Sequence, residues 1–141
     1  MDRRLDWTQL LFSSAERLPR APFITVGAVL LGVYLLYATA APHALRVITG
    51  WLVYPLLAFC GGAITAKRLH DRGRSGWWAA LVLVAVAAVA TPPQSYVDVL
   101  FWLVLVWSFI ELCLMPGEQG ANRFGPNPRS PARPEALVTV S

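Results

Sequence analysis

Residues 22–41 read PFITVGAVLLGVYLLYATAA, twenty positions without one charged side chain. As a helix rising ~1.5 Å per residue, such a run covers the ~30 Å hydrocarbon core of a bilayer. Three further uncharged or nearly uncharged runs follow. The second lies between Arg46 and Lys67 and contains Pro55, which a membrane helix tolerates and which predicts a kink. The third opens at Ser75 and continues through LVLVAVAAVA to the break at Pro92 and Pro93. The fourth starts near Asp98 and reads VLFWLVLVWSFIELCLM until Pro116 and Gly117. The expectation is an all-α membrane protein, a bundle of four transmembrane helices with tight outer turns at 42–46 and 92–98.

Composition agrees with lipid as the solvent. Of 141 residues, 56% are hydrophobic and 14% charged, and the mean hydropathy is +0.51. Soluble domains carry roughly 25% charged residues, and disordered chains are poor in apolar ones, so both classes are excluded. The net charge of +4 does not point to nucleic acid, because the basic residues flank the apolar runs and form no separate domain. Their distribution predicts orientation. Eleven of the twelve basic residues fall in the N-terminal segment, the middle loop and the tail, and Arg46 alone falls on the other side. By the positive-inside rule both termini are expected in the cytoplasm.

The expected organisation is a cytoplasmic segment at 1–20, a transmembrane domain at 21–116 with a basic loop at 67–76, and a cytoplasmic tail at 117–141, disordered from about 129. Leu5, Trp7, Leu10, Leu11 and Phe12 suit either a short interfacial helix or a loosely ordered leader. No cleavable signal peptide is expected, since charges run through the first twenty residues. Cys60 and Cys113 lie in apolar runs with no metal-ligand spacing and read as small buried hydrophobes. No metal and no cofactor is expected.

The middle loop is the densest signal: Lys67-Arg68-Leu69-His70-Asp71-Arg72-Gly73-Arg74-Ser75-Gly76-Trp77-Trp78. Basic residues suit the negative end of the second helix, Gly73 suits a left-handed helix stop, and Ser75 suits the cap of the third. Trp77 and Trp78 suit the headgroup level. The same cations suit an anion site, each worth roughly 1 kcal/mol beside anionic lipid, and His70 beside Asp71 offers a proton-sensitive element. Gly73-Arg74-Ser75-Gly76 has the GxSG form of intramembrane serine proteases. His43 and His70 are the chain's two histidines, and neither follows Ser75 to act as base, so a protease is not expected.

KRLHDRGRSGWW, residues 67–78, resembles the RRLHD-x-GRSGWW signature of the domain-of-unknown-function 805 family of small bacterial inner-membrane proteins. PGEQGANRFGPNP, residues 116–128, resembles that family's PGxxGxNRFGxDP, with Asn127 where aspartate is common. Residues 16–24 partly match its GR-x-x-R-x-x-[FY]-W element, keeping Arg17, Arg20 and Phe23 but carrying Glu16 and Ile24 for glycine and tryptophan. The resemblance spans about residues 12–128. It implies a four-helix membrane protein and no particular activity.

The charge pattern puts all three signature segments on one side. They are expected to meet in a polar cap in which Arg17, Arg20, Lys67, Arg68, Arg72, Arg74 and Arg123 bind a phosphate-bearing lipid or a small anion, with His70, Asp71 and Asn122 in the cap. The alternative is a cap satisfied internally, Glu16, Asp71, Glu111 and Glu118 pairing the arginines. Glu111 is the one acid inside an apolar run, within reach of Lys67 or Arg68, and an intramembrane carboxylate is also the candidate for coupled transport. Small residues at Ala28 and Gly32, and at Gly62 and Ala66, suit close helix packing within the bundle or in a homo-oligomer. The expected function is a non-enzymatic membrane scaffold or accessory protein that engages anionic lipid or a membrane-protein partner. A small oligomeric transporter or channel using Glu111 is the alternative.

Overall fold

The computed structural model describes residues 17–89 and 95–127. Among them are four helices: α1 (Arg20–Ala40), α2 (His43–Asp71), α3 (Trp78–Ala88) and α4 (Tyr96–Phe109). A π-helical turn, Ile110–Leu114, continues α4. Three segments are long and apolar enough to cross a membrane: α1, α2, and α4 with its π turn. α3 is apolar throughout but shorter, at eleven residues. The expected N-terminal interfacial helix, the 92–93 break and the tail beyond 128 lie outside the described residues.

Each boundary has a local cause. Pro22 sits in the first turn of α1, where a missing N–H costs no helix hydrogen bond. α1 ends as Ala41 turns extended, and Pro42 precedes α2. The outer turn is therefore shorter than the expected 42–46. Arg46 lies in the first turns of α2 and donates back to the carbonyl of Ala38. At the start of α4 the Asp98 carboxylate accepts from the Ser95 N–H at 2.7 Å, half of a capping box. Hydroxyls within the spans are satisfied in place, Thr65 donating to Gly61 O at 2.7 Å and Ser108 to Val104 O at 2.7 Å.

α2 differs most from expectation. It runs 29 residues, about 44 Å at ~1.5 Å per residue. That exceeds the ~30 Å core, and the charge-rich residues 67–71 occupy its last turns. Residues 67–71, expected in a loop, are helical and buried. The helix stops in a Schellman motif: Arg74 N donates to Leu69 O at 2.9 Å and Gly73 N to His70 O at 3.0 Å, with Gly73 at φ +68°. The Ser75 hydroxyl accepts from Trp77 N at 3.5 Å, just ahead of α3.

The core gathers at one end of the bundle. Leu18, Phe23 and Val26 pack with Ile64, Ala66 and Leu69, and with Ala79 and Leu112. α1 pairs with α2 and α3 with α4, and α2 adjoins α3. Among the described residues α4 comes within 8 Å of α1 and α2, Cα to Cα, only through its π turn. Two hairpins are thus joined along α2 and α3 and sealed where the π turn meets the ends of α1 and α2. Gly62 contributes to the α2–α3 approach, since a Cβ there would stand 3.0 Å from Leu83 Cδ1, whereas one on Gly32 would meet nothing within 4 Å.

Candidate functional site

The sealed end is a polar cap, and its organising group is Asp71. Its carboxylate is almost wholly buried and takes two guanidinium groups. Arg17 approaches Oδ1, with Nε at 3.3 Å and Nη2 at 3.2 Å, and Arg68 Nη1 donates to Oδ2. All three side chains are at most 4% exposed. A buried carboxylate left alone would be costly, and two hydrogen-bonded cations offset that cost.

The guanidiniums do more than neutralise Asp71. Helix ends leave their last carbonyls without partners, and the segment that continues α4 runs into Pro116, which has no N–H to return to Leu112 O. Arg68 supplies the missing donor, with Nε 2.9 Å from Leu112 O and Nη2 2.5 Å from Met115 O. Arg20 donates to Leu114 O at 3.2 Å and Arg72 to Pro116 O at 2.5 Å. The carbonyls of Leu112, Leu114, Met115 and Pro116 are thus all served by cations at the negative end of the helix. The π turn itself closes with Met115 N on Ile110 O at 3.0 Å.

The chain after Pro116 wraps this centre. Gly117 lies directly on Asp71, where a Cβ would fall 1.9 Å from Oδ2, so a side chain there would have to displace the buried carboxylate. Glu118 N donates to Asp71 O at 2.8 Å. Arg17 reaches into the wrap, donating to Glu118 O at 2.6 Å, Gly120 O at 2.7 Å and Gly125 O at 3.2 Å. Asn122 and Gly125 exchange backbone hydrogen bonds at 3.1 and 2.9 Å, and Asn122 Nδ2 donates to His70 O at 2.9 Å and Glu118 Oε2 at 2.7 Å. Phe124 stacks on His70, with ring centres 3.9 Å apart. The three segments singled out in the sequence therefore meet.

Glu111 forms a second centre. Its buried carboxylate accepts from Arg74 Nε at 2.8 Å and Arg72 Nε at 3.2 Å. Lys67 and Arg68, the partners expected from sequence, are not those bonded to it. The Schellman turn folds 72–74 back beside α4, while Arg68 is committed to Asp71 and the carbonyls that follow α4. Arg74 also lies 5.6 Å from the centre of the Trp107 ring.

Of the expected anion-binding residues, Arg17, Lys67 and Arg68 are buried, Arg72 is partly covered, and Arg20, Arg74 and Arg123 are exposed. Arg123 lies over Phe124 and donates to Gly73 O at 3.4 Å. Glu16 lies outside the described residues. Among the described residues no group of three or more His, Cys, Asp or Glu is placed to hold a metal ion. Sequence reasoning missed the backbone acceptors, and Pro116, four residues after Leu112, was the one available signal for them.

The chain belongs to the family described as Protein of unknown function (DUF805), whose model matches residues 11–126. It is 36% identical over 126 residues to Uncharacterized protein YiiR of Escherichia coli K12, covering 83% of this chain and 86% of the relative. It is 33% identical over 78 residues to Inner membrane protein YhaH of the same strain, covering 55% of this chain and 50% of that protein. No solved structure matches the chain.

Proposed function

We propose that the chain is a non-enzymatic, multi-pass inner-membrane protein whose cap faces the cytoplasm and binds anionic phospholipid through its exposed arginines. The observation that carries this reading is the cap's charge excess. Among the described residues, Arg17, Arg20, Lys67, Arg68, Arg72, Arg74 and Arg123 face three carboxylates, those of Asp71, Glu111 and Glu118, in one assembly. Asp71 and Glu111 each take two guanidiniums, so each of these two centres carries a net positive charge. Arg20, Arg74 and Arg123 carry positive charge at the exposed rim, where an anionic headgroup gains roughly 1 kcal/mol per basic residue. Arg17 and Arg68 hold the cap together beneath them.

Orientation and location have two supports. The concentration of eleven basic residues on one side favours cytoplasmic termini, and the relative YhaH carries the name inner membrane protein. Glu111, held by two arginines, is a structural carboxylate in this reading and not a coupling site for transport.

Native mass spectrometry of the protein extracted with its own lipids tests the reading, beside a variant with Arg20, Arg74 and Arg123 changed to Gln. Retained anionic phospholipid in the parent, reduced several-fold in the variant, is expected. Equal spectra from the two would leave the cap purely structural.

A further inference from the structure

A groove runs along the outside of the bundle between α2 and α3. Its inner stretch is almost wholly apolar, lined by Phe59, Gly62, Ala66, Gly76, Ala80 and Leu83. Its outer stretch shares Ala66, Gly76 and Ala80 with the first, and ends among His70, Ser75, Trp77 and Phe124. Each stretch encloses ≈ 330 Å³. Where the two meet, Gly76 packs closely on His70, since a Cβ there would lie 2.9 Å from His70 Nε2.

The length of the groove is informative. From Ala58 at its apolar limit to His70 at its polar one, it follows about 18 Å of α2 at ~1.5 Å per residue. That is close to one leaflet of a ~30 Å hydrocarbon core. The polar end is also the positive one. α3 begins there at Trp78, presenting the positive end of its dipole. The Arg123 guanidinium lies 4.7 Å from the centre of the Phe124 ring that lines it. Trp77, 84% exposed at the same level, suits the headgroup region.

A slot that is apolar for one leaflet and ends on a hydroxyl and an imidazole, with an arginine behind its Phe124 wall, matches an acyl chain bearing a phosphate. We propose that the α2–α3 groove holds one phospholipid, an acyl chain lying along Gly62, Ala66 and Ala80 and its phosphate meeting the Ser75 hydroxyl at the N-terminus of α3, with the positive charge of Arg123 close by. The assignment rests on the lipid-binding reading of the cap and gives one lipid a defined place within it. A second copy of the chain fits less well, since two such faces would bring their Arg123 and α3 N-termini, of like charge, toward one another.

The test uses the full chain, stripped of lipid in detergent and titrated with phosphatidylglycerol under native mass spectrometry. The parent retains one lipid to higher collision energy than the rest. Ala80→Phe and Ala58→Phe, both at exposed groove positions, each fill the slot and lower retention of that lipid at least tenfold. The weaker adducts drawn by the arginine rim persist. Leu36→Phe, on the exposed side of α1, changes nothing, and circular dichroism checks that all variants keep their helices. Undiminished retention in both groove variants overturns the proposal and leaves the rim reading intact. Absence of retained lipid from the parent overturns both. A change of oligomeric state in Ala80→Phe with lipid retention unaltered gives the groove to a second copy and overturns the lipid assignment. Competition by chainless glycerol phosphate as effective as by the lipid also overturns it.

Discussion

At the scale of single residues, the cap turns on Asp71. Its two oxygens divide two buried guanidiniums between them, and the carboxylate occupies the space a side chain at Gly117 would need. Asp71→Asn keeps the shape and removes the charge, so Arg17 and Arg68 lose their shared counter-ion inside a covered site. Breaking a buried pair in this way costs about 3–5 kcal/mol. Thermal unfolding in detergent should show a large fall in midpoint for Asp71→Asn. Asp98→Asn, at the far end of the bundle, should cost about 1 kcal/mol, as for a helix cap. Similar midpoints for the two would remove Asp71 from the centre of the cap. The residue types at 67–74 were legible as a charged cluster, and Asp71 as a member of it. Their partners were not, because most of them are backbone carbonyls, which leave no trace in a sequence.

At the scale of elements, the π turn and Arg68 are two halves of one device. Pro116 cannot return an N–H to Leu112 O, and the Arg68 fork reaches that oxygen and Met115 O while still pairing Asp71. Lysine keeps the charge but is a compact donor without the planar fork. Arg68→Lys should therefore leave at least one buried carbonyl without a donor, at about 1–3 kcal/mol each. Pro116→Ala restores a backbone N–H four residues after Leu112 and should recover part of that loss. The double-mutant cycle on unfolding free energies reads the coupling directly, and strictly additive effects would separate the two residues. The same elements explain where sequence reading stopped. Apolar runs end at the first lysine, so α2 reads as ending near Lys67. The helix continues to Asp71 because the cap, and not lipid, surrounds its last turns. Gly73 as a left-handed stop was legible, since its φ of +68° is a conformation glycine adopts without strain.

At the scale of the molecule, charge, core and contacts are all polarised toward one end. The core residues Leu18, Phe23, Leu69 and Leu112 lie beside the ion pairs, and the opposite ends of the spans expose most of their apolar side chains. Such a body has one orientation that satisfies a bilayer with anionic lipid and a bias against translocating short arginine-rich segments. The cap should face the cytoplasm, leaving Arg46 and the α1–α2 turn outside. Arg46 does not weaken this, because it is one cation against the eleven basic residues of the other side. Single cysteines in a background with Cys60 and Cys113 replaced by Ala decide the matter. His43→Cys lies at the start of α2 and Gln119→Cys in the wrap over the cap, and both positions are exposed. A membrane-impermeant maleimide should label His43→Cys in cells whose outer membrane alone is opened. It should label Gln119→Cys only after the inner membrane is broken. The reverse pattern would put the arginine rim outside the cytoplasm, and with it would go the electrostatic basis for anionic lipid at the cap.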